Sequence, residues 1–186
     1  MSGQIEGFIA NARMIADEVR EAFGDLSPEE LNWKPTAESW SVGQCFDHLI
    51  ITNGLYAANI EKVADGTFRA NGFSKIPFLA DFVGRMLKKA VSPDSVKKVK
   101  TFPIFEPAAS DITKTIIGDF IAHQEKMISL MEAVKDRDIR RIKIPTPVSQ
   151  AVNIRLSDAF EVMLLHERRH FNQARRVLEN HQNMER

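Results

Sequence analysis

A single cysteine, Cys45, is all the thiol this chain possesses. That excludes an internal disulfide framework and a zinc site built from cysteines alone, and it fits a reducing compartment. Net charge is absent too. The 25 Lys and Arg balance 25 Asp and Glu, without the basic excess of a dedicated nucleic-acid binder. No basic stretch followed by an apolar one opens the chain, so no signal peptide is expected. No run approaches the roughly 18 uninterrupted apolar residues that cross a bilayer. Neither end carries a lipidation motif, and no internal repeat stands out. The expectation is a cytoplasmic protein with no membrane or nucleic-acid partner. What is present is an ordinary globular mix, 44% hydrophobic and 27% charged over 186 residues. Such a chain can form one domain, 1–186, with a core that needs no covalent staples.

Helical periodicity dominates the pattern. Ile5, Phe8, Ile9, Ala12, Ile15, Ala16, Val19, Ala22 and Phe23 follow the i, i+3, i+4 recurrence of an amphipathic helix, and Gly24 can close it. Ser27-Pro28-Glu29-Glu30 reads as a cap, an N1 proline and a capping-box glutamate, and Trp33-Lys34-Pro35 breaks that turn. A second helix begins after Ser41, with Val42, Phe46, Leu49, Asn53, Tyr56, Ile60 and Val63 along one face, and ends near Asp65-Gly66. The stretch from there to Pro107 is rich in Gly, Pro and Lys, with room for a short helix around Phe78 to Lys89. A third helix follows Pro107, its stripe Ile112, Ile116, Phe120, His123, Met127, Leu130 and Val134. Ile144-Pro145-Thr146-Pro147 reads as a linker to a fourth helix, capped by Ser157 or Asp158, with Phe160, Met163, His166, His170, Ala174 and Val177 inward. No strand alternation is evident. Four long helices with a long connection between helices 2 and 3 predict an all-α four-helix bundle.

The histidines carry the chemistry. There are five, and two of them, His166 and His170, are four residues apart. On a helix that spacing places both imidazoles on one face, where they can share a divalent ion at about 2.0–2.1 Å per bond. Both interrupt an apolar stripe, and a buried imidazole needs a partner. The competing reading is a pair of core histidines hydrogen-bonded to neighbours. The string His166-Glu167-Arg168-Arg169-His170 matches the H-E-x-x-H of zinc proteases, but the glycine and third histidine of the metzincins are missing, Gln173 and Arg176 standing in their places.

A third ligand must then come from another helix. His48 lies beside the apolar stripe of the second helix, on the shoulder holding Cys45 and Thr52. Packed helices approach to about 8–10 Å between axes, close enough for ligands to converge. His123 competes for the place, although a satisfied core histidine is its simpler reading. His181, near the C-terminus, reads as solvated. Glu167 could orient a ligand or act as a base, but its simpler reading is a charge paired with Arg168, Arg169 or another helix. Asp47 is ambiguous in the same way. Gln44 and Gln173 could hydrogen-bond near the site. Cys45 could be a fourth ligand, though a small buried hydrophobe is the commoner fate.

The residues Leu26-Ser27-Pro28-Glu29-Glu30-Leu31-Asn32-Trp33-Lys34-Pro35, then Trp40-Ser41-Val42-Gly43-Gln44 and His48-Leu49, resemble the opening half of the DinB-like (DinB/YfiT-like) superfamily. The ending HERRHFNQARRVL resembles its last helix. The resemblance covers most of the chain and is weakest from Gly66 to Pro107. It implies a four-helix bundle and one divalent metal held by three histidines, here His48, His166 and His170, with zinc or nickel as the leading ions. Some relatives are S-transferases using bacillithiol or mycothiol, one is a mycothiol-dependent isomerase, and others are named only as metal-dependent hydrolases. Many members carry glycine just before the glutamine that follows the last ligand. This chain has Asn172 there, which leaves the subfamily and its co-substrate open.

An open metal position lowers the pKa of a bound water or thiol. The leading expectation is therefore a low-molecular-weight-thiol S-transferase acting on small electrophiles. The alternatives are a metal-binding stress protein without catalysis and a metal-dependent hydrolase. Two basic clusters, Arg85, Lys88, Lys89, Lys97, Lys98 and Lys100, then Arg137, Arg140, Arg141 and Lys143, could hold an anionic substrate but read more simply as solvated surface. The apolar spacing of Phe78, Leu79, Phe82, Val83, Met86 and Leu87 suits a cover over the bundle mouth or a dimer contact. A homodimer is expected for a small protein of this kind.

Overall fold

The first helix, α1 (Ser2–Phe23), forms over the residues whose spacing calls for it. Ile5, Ala12, Ile15, Val19 and Phe23 are buried along it. The computed structural model describes residues 2–76, 78–94, 101–107 and 111–184. After α1 the chain makes the short α2 (Pro28–Asn32) and the long α3 (Val42–Ala64). Both open on reciprocal capping boxes. In α2 the Glu30 amide donates to Ser27 Oγ at 3.2 Å and the Ser27 amide to Glu30 Oε2 at 2.8 Å. In α3 the amide of Gln44 donates to Ser41 Oγ and the amide of Ser41 to Gln44 Oε1, each at 3.2 Å. Gln44, a candidate site residue by sequence, is thus part of a helix cap.

Next come α4 (Leu79–Val91), α5 (Ile116–Ala133), the strands β1 (Lys143–Thr146) and β2 (Ser149–Arg155), and α6 (Leu156–Met184). The described residues are mostly helical. The helix α1 packs on α5 and α6, and α3 packs on the same two. Phe23, Phe46, Phe120 and Phe160 are fully buried among them, with Phe46 5.2 Å from Phe23 and 5.1 Å from Phe120 between ring centroids. No helix among the described residues is long and apolar enough to cross a membrane.

The structure corrects the sequence reading in three places. The supposed Pro-containing linker is an antiparallel hairpin, pairing Lys143 with Arg155 and Ile144 with Ile154, with an irregularity between Pro145 and Thr146. Proline is tolerated there because β1 is an edge strand beside a break in the register. Ile144 and Ile154 are fully buried, so the hairpin plugs the core. Second, neither Ser157 nor Asp158 caps α6. The amides of Leu156 and Ser157 donate to the carbonyls of Ile142 (2.9 Å) and Ile139 (3.1 Å), so the preceding backbone satisfies the first two amides of the helix. Third, Ile112, Ile116, Phe120, Met127 and Val134 of the expected third-helix stripe are buried, but Gln124, Ile128 and Met131 join them while His123 and Leu130 are only half-buried.

The expected short helix is α4. Ala80, Val83 and Gly84 are buried against α6 and β2, while Phe78, Phe82 and Met86 face outward. Gly84 permits the close approach: a Cβ there would fall 2.6 Å from Asp158 Oδ2. Lys88 then reaches both Asp158 (3.0 Å) and Glu161 (2.9 Å) on α6, and Arg155 pairs with Asp81. The second basic cluster is also engaged locally. Arg140 donates to Gln4 (2.8 Å), Arg141 pairs with Asp138 (3.3 Å), and Lys143 donates to the Ser74 carbonyl (2.7 Å). Lys97, Lys98 and Lys100 lie outside the described residues.

Candidate metal centre

Three imidazoles meet between α3 and α6. His48 comes from α3, His166 and His170 from successive turns of α6. Their ring centroids are 4.6–5.0 Å apart. His48 Nε2 lies 3.2 Å from His166 Nε2, which lies 3.0 Å from His170 Nε2. Candidate ligand atoms of all three fall within 4.8 Å of one another. Two nitrogens on one tetrahedral zinc at about 2.0–2.1 Å would be roughly 3.3–3.4 Å apart, so a small adjustment admits an ion.

The protonation state is set by the surroundings. His48 Nδ1 lies 2.5 Å from the Phe105 carbonyl oxygen. A carbonyl only accepts, so Nδ1 carries the proton and Nε2 presents a lone pair to the cluster. Burial lowers the pKa of His48, opposed by that hydrogen bond and by the Asp47 charge. Burial, then His48 and Arg169, hold His166 down to about 3. Burial again leads for His170, with His166, His48 and Arg169 adding, and Gln173 opposing. Three neutral rings with Nε2 atoms converging cannot all satisfy one another by hydrogen bonds, because each shared proton serves only two nitrogens. A cation accepts all three lone pairs, so the donor set fits one. His48 and His170 are buried and His166 is half-buried.

The walls are aromatic. Trp40, in the segment before α3, lies 4.8 Å from the His48 ring and stacks on His170 at 5.5 Å. Phe105, whose carbonyl holds His48, has Phe102 at 6.3 Å.

Other candidates fall elsewhere. His123 is not in the cluster and sits half-buried facing Gly54, its pKa lowered by burial and then by Lys126. His181 is buried rather than solvated, its ring edge-on to Trp33 at 5.0 Å, because α6 stays packed to its last turns. Cys45 is fully buried, and burial pushes its thiol up to about 12, as befits a small core residue. Glu167 departs from the expectation of an ordinary ion pair. It is 2% exposed and accepts from the amides of Asn53 (2.6 Å, to Oε1) and Gln124 (2.8 Å, to Oε2). Burial raises its pKa to about 7 against those two hydrogen bonds and Arg168. Arg168 itself pairs with Glu18 of α1.

Sequence reasoning passed over Gln124 and the Phe105 carbonyl as site-shaping groups. Asn53 had a signal, a polar residue in an apolar stripe. The Phe105 carbonyl had none, since a backbone oxygen leaves no trace in residue identity.

Known proteins place this chain. The family model of the DinB superfamily matches residues 13–174. The chain belongs to the DinB superfamily. The match takes in all three histidines of the cluster, together with Trp40, Asn53, Phe105 and Glu167. Among curated proteins this DinB chain is similar to the uncharacterized protein YuaE of Bacillus subtilis (strain 168), 25% identical over 170 residues, with 83% of this chain and 86% of the relative covered. No solved structure matches it significantly.

Proposed function

We propose that the protein binds one divalent cation through His48, His166 and His170 and uses it as a low-molecular-weight-thiol S-transferase acting on small electrophiles. The observation that carries this reading is the convergence of three neutral imidazoles, with the Nε2 of His166 3.2 Å from that of His48 and 3.0 Å from that of His170. The packing of α1, α3, α5 and α6 supports the further reading of residues 1–186 as a single four-helix-bundle domain of DinB type. A cytoplasmic homodimer belongs to the same reading, and light scattering tests the dimer.

When bound, the cation would lower the pKa of a coordinating thiol so that sulfur attacks as thiolate. The chain's own residues shape the rest. Phe105 fixes the His48 tautomer through its carbonyl. Trp40 covers two of the three rings and keeps water off that side. Thiol and electrophile would approach from the side of His166, the one ring of the three that is half-buried. In the transfer the sulfur–carbon bond forms as the carbon–leaving-group bond breaks, and the thiol proton passes to solvent.

The test is metal content of untagged protein purified without chelator, for wild type and for His48→Ala, His166→Ala and His170→Ala. About one ion per chain in wild type, lost in each variant, is expected. Metal absent even after loading with zinc, nickel or manganese overturns the site. A panel of electrophiles with bacillithiol, mycothiol or glutathione then tests the transferase. Turnover of ester or amide substrates without thiol would instead make the protein a hydrolase, and no turnover of either kind would leave a metal-binding protein.

A further inference from the structure

Glu167 is the one carboxylate in the buried class among the described residues, and it follows a triad histidine directly. A buried carboxylate is costly unless its oxygens are hydrogen-bonded. Here each oxygen has an amide donor from a different helix: Asn53 of α3 on Oε1 and Gln124 of α5 on Oε2. Gln124 Nε2 also lies 3.3 Å from the Ala12 carbonyl of α1. All three side chains are at most 2% exposed. One small polar cluster therefore joins α1, α3, α5 and α6 at a single level.

That level adjoins the triad. Asn53 is five residues beyond His48 on α3, and Glu167 one beyond His166 on α6. The Asn53–Glu167 hydrogen bond thus ties together the same two helices that bring the ligands face to face, within about one and a half turns of them. Apolar contacts alone tolerate small sliding between helices. A short, doubly anchored carboxylate does not, since a slip of about 1 Å breaks its hydrogen bonds. Converging ligands need placement to about 0.5 Å.

We infer that Glu167, held by Asn53 and Gln124, is a positioning residue that sets the α3–α6 register and so holds His48 against His166 and His170 at cation-binding distance. This rests on the reading of the triad as a cation site.

Isosteric and truncating variants separate the possibilities. Glu167→Gln removes the charge but can keep both links. Gln124 has a buried Oε1 with no hydrogen-bond partner, and turning that amide over lets it accept from the new side-chain amide. Glu167→Ala removes both links, and Asn53→Ala removes the α3 link alone. The measurements are zinc affinity by competition with a chelator and the visible spectrum of the cobalt(II)-loaded protein, which reports ligand geometry. Both are made on protein shown to be folded by circular dichroism. Expected are a loss of zinc affinity of about 10–100-fold in Glu167→Ala and Asn53→Ala, with an altered cobalt spectrum, and near wild-type values in Glu167→Gln. Folded Glu167→Ala and Asn53→Ala with wild-type affinity and spectrum would overturn the inference, leaving Glu167 a fold-stabilising residue only. Loss in Glu167→Gln equal to that in Glu167→Ala would also overturn it, in favour of a charge effect. Should Glu167→Ala not fold, Asn53→Ala and Glu167→Gln decide alone. Absence of metal from wild type itself overturns the triad reading, a separate result.

Discussion

Single residues at this site take their roles from what surrounds them. His48 and His123 are both helical histidines near an apolar stripe. The Phe105 carbonyl gives one a fixed tautomer and a converging lone pair, while the other lies half-buried beside Gly54, outside the cluster. Trp40 supplies a direct probe of the cluster. It touches two of the three rings, whereas Trp33 packs on His181, eleven residues and so roughly 16 Å along α6 from His170. Cobalt(II) or nickel(II) is therefore expected to quench tryptophan fluorescence in wild type and in Trp33→Phe, but not in Trp40→Phe. Equal quenching of the two single-tryptophan proteins would place the ion elsewhere. Cys45 makes a second probe. With its thiol neutral to about 12 and its side chain fully buried, native protein should resist thiol reagents that label the unfolded chain at once. Rapid native labelling would remove Cys45 from the core.

At the scale of elements, α4 is fastened by specific polar contacts as well as by the buried Ala80 and Val83. The helix α4 meets α6 at Gly84, where the absence of a Cβ lets Asp158 pack and Lys88 close the ion pairs. Gly84→Ala gains helix propensity of up to about 1 kcal/mol. It also forces an atom within 2.6 Å of the Asp158 carboxylate, and overpacking of that kind costs about 1–3 kcal/mol. Overpacking wins, so denaturant titration is expected to show a net loss of ~1 kcal/mol. An increase in stability would mean that α4 can move away from α6 freely. Ser41→Ala tests the cap of α3. It removes an acceptor from a fully buried capping box and should cost about 1 kcal/mol, while the metal stoichiometry stays unchanged because His48 lies nearly two turns on.

For the molecule as a whole, neutral buried histidines tie stability to pH. Each titrates near 6.5 in its ordinary state, and His166 near 3 in the fold. Between those values the unfolded chain binds more protons, so stability without metal is full above about pH 6.5 and falls as pH drops toward about 3. Glu167 opposes this. Its pKa is about 7 in the fold against 4.5 ordinarily, so its contribution grows as pH falls from about 7 to about 4.5. Three histidines outweigh one carboxylate. Urea unfolding of metal-free protein should show a lower midpoint at about pH 5 than at about pH 7.5. An equal or higher midpoint at the lower pH would show that the rings are not held neutral.

Periodicity alone located α1, α3, α4 and α6 to within a few residues, because burying one stripe per helix is a local demand written into spacing. It also made His166 and His170 neighbours, since residues four apart share a helical face. The hairpin escaped notice because two prolines in Ile144-Pro145-Thr146-Pro147 mask a strand that survives only as an edge. That Gln124 is fully buried on α5 while His123 is only half-buried depends on the helices it packs against and not on its own pattern. Bottom-up reading left the third ligand open between His48 and His123, and the family resemblance implied His48. The structure brings His48 into the cluster, since only the packing of α3 on α6 sets that distance. Glu167 shows the same division. Its identity beside His166 is legible in the chain. Its burial and its two amide partners come from three helices meeting, for hydrogen bonds between distant segments exist only once the backbone has brought those segments together.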